Sequence, residues 1–298
     1  MVEDVVNGTS NRPLVSVLIS SYNHGEYIEE AILSVLAQTY DNVELLVVDD
    51  GSSDDSADRI ARLQAIHGFD FRVQANQGLS CSLNAMIARA KGNLIVPFGS
   101  DDIMLPDRLA KQVEYLEGKP DVGICAGNVK RIDAQGRPLA RQPRYCARRL
   151  DFEDILLNRK PGAPAPTLIF RREALEAVGG FDPDIRLEDV YIELMITRHG
   201  YHIDVMGDVL ACYRVHPNNT YKRHRFMVDS MLATLERFSD HPRYAEARAV
   251  YLNSMLLKTA KQDAELSRWI LAQLPFSAWR LKTIRGVLRL CVSRHGRP

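Results

Sequence analysis

The sequence is poor in the features that mark several large protein classes. Cysteine is scarce: Cys81, Cys125, Cys146, Cys212 and Cys291 are the five in 298 residues, widely spaced and without a CxxC pair. That pattern argues against a disulfide framework or a structural zinc site and for reduced thiols. No stretch approaches the roughly 20 apolar residues that span a bilayer. The opening Met1-Val2-Glu3-Asp4 is acidic and no apolar core follows it, so no signal peptide is read there. Lys and Arg total 38 and Asp and Glu total 38, so the formal net charge is zero and nothing global points to nucleic acid. There is no GxxxxGK[ST], and no GxGxxG follows the first strand, which disfavours P-loop NTPases and dinucleotide oxidoreductases.

What is present is an alternation of apolar runs with helical patterning. Residues 15–20 read as a buried strand. Residues 26–38 follow with Ile28, Ile32, Val35 and Leu36 on one helical face. Residues 43–48, 71–73 and 94–98 read as further strands. Between them lie a helix entered near Ser53, with Asp54 and Asp55 in its first turn, and a helix over 80–90. Alternation of this kind predicts a mostly parallel α/β sheet with helices on both faces. After residue 102 the rhythm loosens. A helix is expected over 106–116, strands over 122–129, 131–139, 167–170 and 209–215, and helices over 172–178 and 188–199. Residues 140–165, rich in Arg and Pro, are expected to be irregular. From about residue 222 only helical patterning remains.

Two strands end in paired carboxylates. Val43 to Val48 runs into Asp49-Asp50-Gly51-Ser52, and Leu94 to Phe98 runs through Gly99-Ser100 into Asp101-Asp102. Adjacent carboxylates repel unless a positive charge lies beside them. At the carboxyl ends of parallel strands, where α/β sheets bind ligands, a divalent cation shared with a phosphate is the common neutraliser. Solvated turn residues are the plainer alternative for either pair. The first strand ends in Ser20-Ser21-Tyr22-Asn23, a hydroxyl, a ring and an amide suited to a flat polar base, or to a simple turn.

The ordered set of these motifs resembles the family 2 glycosyltransferases. It comprises Val17 to Asn23, Val47 to Ser52, Asn76-Gln77-Gly78 with Asn84, and Ser100-Asp101-Asp102. Downstream lie Val178-Gly179-Gly180-Phe181-Asp182, Leu187-Glu188-Asp189 and Tyr213-Arg214-Val215-His216. The resemblance implies an inverting enzyme with the GT-A fold, Rossmann-like, carrying a C-terminal helical extension. It divides the chain into a flexible leader over 1–12, a catalytic domain over 13–220 and a helical region over 221–298. Within the domain, 13–105 would bind the nucleotide-sugar and 106–220 the acceptor.

The family's roles then fall on particular residues. Ser20, Tyr22, Asn23, Asp49, Asp50, Asn76, Gly78 and Asp101 are implied at the nucleotide, with Asp101 facing the ribose or a metal-bound water. Asp102 is the implied direct ligand of Mn²⁺ or Mg²⁺, since Ser100 replaces the first acid of the family's DxD motif, and His216 approaches the same metal. Asp189 is the implied catalytic base, with Glu188 and Arg214 at the acceptor or diphosphate. The expected reaction is hexosyl transfer from a UDP- or dTDP-sugar to a cell-envelope glycan or glycolipid such as a lipopolysaccharide. The expected place is the cytoplasm, peripheral on the inner face of the membrane. Glu188-Asp189 also reads as ordinary first-turn helix charge, and His216 as a loop histidine before Pro217. Two rival classes are a sugar nucleotidylyltransferase and a non-catalytic glycan- or nucleotide-binding module. The first wants a Gly-rich stretch with Arg and Lys after the first strand, and Ser20 to Gly25 holds none.

Two basic groups complete the reading. Arg144, Arg148, Arg149, Lys160 and Arg171 are expected near the acceptor side, either meeting a phosphate-bearing acceptor or simply solvated. Beyond Glu265 no acid occurs, while Arg268, Arg280, Lys282, Arg285, Arg289, Arg294 and Arg297 do. Leu281, Ile284, Leu288 and Cys291 recur there at helical spacing, with Trp269, Phe276 and Trp279 nearby. Residues 268–297 therefore suit an anionic membrane surface, or packing on the body or on another subunit.

Overall fold

The computed structural model describes residues 12–294, with side chains to residue 291. The proposed leader over 1–12 lies, but for Arg12, outside the described residues. The chain opens with β1 (Val15–Ser21), α1 (Gly25–Leu36), β2 (Val43–Asp49), α2 (Ser56–His67), β3 (Asp70–Val73), α3 (Leu79–Ile87) and β4 (Leu94–Gly99). The middle holds β5 (Ile103–Met104), α4 (Arg108–Leu116), β6 (Val122–Asp133), β7 (Arg148–Leu150), α5 (Phe152–Leu156), β8 (Ile169–Arg171), α6 (Arg172–Ala177), α7 (Glu188–Arg198) and β9 (His202–Val215). The last part is α8 (His224–Glu236), α9 (Tyr244–Thr259), α10 (Ala264–Ala272) and α11 (Leu281–Arg294).

The strands form one sheet in the order β3-β2-β1-β4-β8-β6-β9-β5, with β7 pairing β9. The half built from β1 to β4 is parallel. Beyond β4 the sheet is mixed. The short β8 runs antiparallel to both β4 and β6, and β9 runs parallel to β6. β1 is buried along nearly its whole length because it is central and covered on both faces, which is why it reads as an unbroken apolar run. One face of the sheet buries Ile28, Ile32 and Val35 of α1 with Leu109 and Val113 of α4. The other buries Leu83 and Met86 of α3 with Leu175 of α6 and Ile192 and Ile196 of α7. A separate apolar cluster joins α8, α9 and α10.

Three expectations need correction. Residues 131–139 hold no second strand. β6 continues to Asp133, where the Asp133 carboxylate accepts the Gln135 and Arg137 amides and closes a turn. The stretch 140–165 is not wholly irregular: it contributes β7 and α5, the latter opened by a capping box between Asp151 and Asp154. The last strand begins at His202 rather than 209.

Candidate functional site

Register explains why the acids converge. Ser21 of β1 lies level with Asp49 of β2, and Ser20 lies level with Gly99 of β4. Asp50 and Asp101 therefore emerge on either side of the β1 exit, past the carboxyl end of the parallel strands. The two-residue β5 then pairs Ile103 with Cys212 of β9. That ladder draws Asp101 and Asp102 against Arg214 and His216, more than a hundred residues later in the chain.

The two acidic pairs differ in what surrounds them. Asp49 accepts the Ser52 amide at 2.9 Å and the Ser52 hydroxyl at 2.6 Å. Asp50 accepts Gln74 Nε2 at 2.7 Å and the amides of Gln77 and Gly78, each at 2.9 Å. Gly51 makes the turn between them possible. Its φ is +78°, and a Cβ there would lie 2.8 Å from the Asn76 nitrogen. Asn23, also at positive φ, accepts the Ser53 amide at 2.7 Å and so ties the β1 exit to the same loop. Tyr22 and Asn76 are exposed beside it.

The second pair has fewer donors. Asp102 is buried, and one of its oxygens accepts the Arg214 amide at 2.8 Å. Burial, then the charge of neighbouring Asp101, pushes its carboxyl well above the usual range. Asp101 pairs with His216 Nε2 at 2.8 Å. Burial alone would raise Asp101, but the His216 hydrogen bond and the nearby His24 and His216 charges outweigh it and hold Asp101 below the usual range. His24 Nδ1 meets the Ser100 hydroxyl at 2.7 Å, and its ring lies 5.8 Å from that of His216. Ligand-capable atoms of His24, Asp101 and His216 all lie within 4.8 Å of one another. Burial lowers the His24 imidazole, which favours its neutral, lone-pair-bearing form.

This geometry revises two assignments. His216 joins Asp101, not Asp102, in the ligand-capable cluster, because Asp102 turns toward the Arg214 amide. Arg214 does not face the cavity at all. It is buried, donates from Nε to the Asp101 carbonyl at 2.7 Å and from Nη1 to the Ala134 carbonyl at 3.1 Å, and is ion-paired with Glu30. Its guanidinium also covers the Tyr27 ring at 4.9 Å. Arg214 is thus the brace that positions the acids, not a contact for an acceptor or diphosphate.

A cavity of about 550 Å³ opens over this cluster. Its lining includes Ser20, His24, Asp101, Asp102 and His216, together with Glu188 and Asp189. Asp189 lies in the first turn of α7 and accepts the Val190 amide at 2.8 Å. Burial raises its carboxyl above the usual range, so the helix dipole does not dominate there. Burial and then Asp189 push Glu188 up to about 8. Glu193, one turn further along α7 and buried, is raised well above the usual range by burial and by Asp189. Asn84 of α3 fixes the loop before α7, donating to the Phe181 carbonyl at 2.7 Å and accepting its amide at 3.0 Å. Gly180 must be small here, because a Cβ would stand 2.9 Å from Asn84 Oδ1.

Asp49, Asp50, Tyr22, Asn23, Asn76 and Gly78 lie at the adjoining strand ends rather than in this cavity. Several expected acceptor cations are committed elsewhere: Arg149 to Asp204 and Asp121, Lys160 to Asp154, and Arg171 to the Val122 and Leu116 carbonyls. Sequence reasoning missed His24 and Glu193. His24 sits one residue past the motif ending in Asn23, so its position at a strand exit was the available signal.

A family model described as glycosyl transferase family 2 matches residues 16–179. An uncharacterized glycosyltransferase of Nostoc sp. is 31% identical over 93% of this chain and 87% of its own length. The amylovoran biosynthesis glycosyltransferase AmsE of Erwinia amylovora is 28% identical over 70% of this chain and 79% of its own. Among solved structures, the mannosyltransferase PcManGT from Pyrobaculum calidifontis, in complex with GDP-Man and Mn²⁺, superposes with a TM-score of 0.62. It is 21% identical and covers 96% of this chain and 88% of that one.

Proposed function

The chain belongs to glycosyl transferase family 2, and from that premise we propose that it is a metal-dependent inverting hexosyltransferase using a nucleotide-activated sugar. The observation that carries this reading is that Asp101, Asp102 and His216 line one cavity together with Glu188 and Asp189. Ser20, Tyr22, Asn23, Asp49, Asp50, Asn76 and Gly78 surround the place we assign to the nucleotide, a UDP or dTDP moiety.

The residues present fit a divalent cation. Two imidazoles and a carboxylate lie within reach of one point, and the adjacent Asp102 is a buried acid whose own pair partner opposes its charge. We assign Asp101 and His216 as holders, with His24 beside them and Asp102 able to join. Donors of this kind favour Mn²⁺ over Mg²⁺, which prefers oxygen ligands. When bound, the cation supplies Lewis-acid stabilisation of charge on the departing diphosphate.

Asp189 accepts the proton of the attacking hydroxyl. Burial raises the Asp189 carboxyl above its ordinary range, which makes its carboxylate a stronger base than an exposed one. Glu188, held near 8, is largely protonated at neutral pH and acts as a donor beside that base. A single base opposite the leaving group implies direct displacement with inversion. The acceptor we propose is a cell-envelope glycan or glycolipid, with AmsE, named for amylovoran biosynthesis, in support. No helix among the described residues is long and apolar enough to cross a membrane. We place the protein in the cytoplasm, with residues 268–297 toward an anionic membrane.

The test is product analysis with a panel of nucleotide-sugars, with Mn²⁺ and with chelator. Cation-dependent release of a nucleoside diphosphate and an inverted anomeric configuration by NMR are expected. Release of inorganic diphosphate from a nucleoside triphosphate would instead mark a nucleotidylyltransferase.

A further inference from the structure

The C-terminal helices present two features that the transfer reaction does not use. The first is the free face of α11. Its inner face packs on α9, with Thr283 bonded to Asn253 and Gly286 so close to Leu256 that a Cβ would lie 2.8 Å from Leu256 Cγ. The outer face carries Leu281 at 71%, Ile284 at 50% and Leu288 at 60% exposure, and Phe276, just before the helix, is 83% exposed. An apolar stripe of this size is unusual on a free surface. Lys282, Arg285 and Arg289 flank it, and no acid follows Glu265.

The second feature is a cavity of about 470 Å³ at the foot of the same helix. Tyr244, Arg248, Gln273, Trp279 and Arg280 are among its lining residues, with Glu246. Glu246 is already neutralised by Arg243 at 2.7 Å and lies 3.4 Å from Arg280. Trp279 Nε1 is buried and has no hydrogen-bond partner among the described residues. The Trp279 ring lies 4.9 Å from that of Phe276, and Arg280 leads directly into Leu281, so the cavity's last lining residue adjoins the first residue of the stripe.

We propose that this cavity seats the phosphate of an anionic lipid headgroup while the α11 stripe enters the acyl boundary of the same bilayer. Arg248 and Arg280 supply the charge and the hydrogen bonds to the phosphate, and Phe276, Leu281, Ile284 and Leu288 enter the apolar layer. The proposal deepens the membrane-facing reading of residues 268–297 and rests on it, but it is independent of the sugar chemistry.

The test is co-sedimentation of the full chain with vesicles of phosphatidylcholine alone or mixed with phosphatidylglycerol. The wild type is expected to pellet with the mixed vesicles, to release as salt rises, and to ignore phosphatidylcholine. The Leu281→Glu/Leu288→Glu variant should lose binding to the mixed vesicles. Arg248→Ala should weaken binding to mixed vesicles by about fivefold. Arg280→Ala should weaken it by about fivefold. Unfolding temperature monitors the fold of each variant without reference to turnover, so failure of the transferase reading leaves this test intact. Equal binding to both vesicle types, or no binding, overturns the proposal. Binding unaffected by Arg248→Ala and Arg280→Ala overturns the headgroup seat. Quenching of tryptophan fluorescence by inorganic phosphate as strongly as by mixed vesicles identifies a soluble phosphate site instead.

Discussion

The acids at the β2 exit and the acids facing the cavity share a composition and differ in their partners. Asp49 and Asp50 are met by five donors from Ser52, Gln74, Gln77 and Gly78. Their oxygens are therefore satisfied without any ligand. Around the cavity, Asp102 has one amide, Asp189 has one amide, and Glu188 is pushed up to about 8. Those acids are held where charge is costly. One region is satisfied by its own loop, and the other is not. Unsatisfied groups concentrated in a cavity are the usual mark of chemistry rather than of folding.

Substitution should break the symmetry of the two regions. Asp189→Asn should lower kcat by about a thousandfold with little change in unfolding temperature, measured by single-turnover transfer and thermal melting. A folded enzyme with unchanged kcat would remove Asp189 from the reaction. The next effect is on pH dependence. Glu188 is raised in the folded chain, so its protonated form stabilises the fold below the ordinary carboxyl range. That stability is lost as pH rises through about 8. Unfolding free energy should therefore fall by roughly 3 kcal/mol between pH 5 and pH 8 in the cation-free protein, and Glu188→Gln should flatten that slope. Asp50→Ala should cost about 2 kcal/mol in urea unfolding, because three donors lose their acceptor. Asp102→Asn should have the opposite sign. It relieves a buried like-charge pair and should stabilise the cation-free fold by about 1 kcal/mol while impairing transfer. A destabilised Asp102→Asn protein would erase the distinction between the regions.

Much of the parallel half was legible in residue pattern alone. β1, β2 and β4 were expected at 15–20, 43–48 and 94–98 and run Val15–Ser21, Val43–Asp49 and Leu94–Gly99. Strands buried on both faces leave continuous β-branched runs, and their ends fall at turn residues. The mixed half was less legible because its strands are defined by partners. β5 has two residues and exists only through Cys212 and Ala211 of β9, and β8 has three residues wedged between β4 and β6. Motif order brought the acids to notice, but not which of them would meet. His24 and Ser100 are 76 positions apart, and the His216 contact to Asp101 spans 115. Arg214 looked like a ligand contact because it precedes Val215 and His216. Only the β5–β9 ladder shows that it turns inward to hold the Asp101 carbonyl and Glu30.

The difference between a self-satisfied pair and a cation-seeking one is tested most directly by titrating Mn²⁺ into the folded protein and following the loss of the free-ion electron paramagnetic resonance signal. One bound Mn²⁺ is expected in the wild type, preserved in Asp50→Asn and weakened at least tenfold in His216→Ala. Equal binding by His216→Ala and the wild type, or loss in Asp50→Asn alone, would place the cation with the wrong pair and contradict the account.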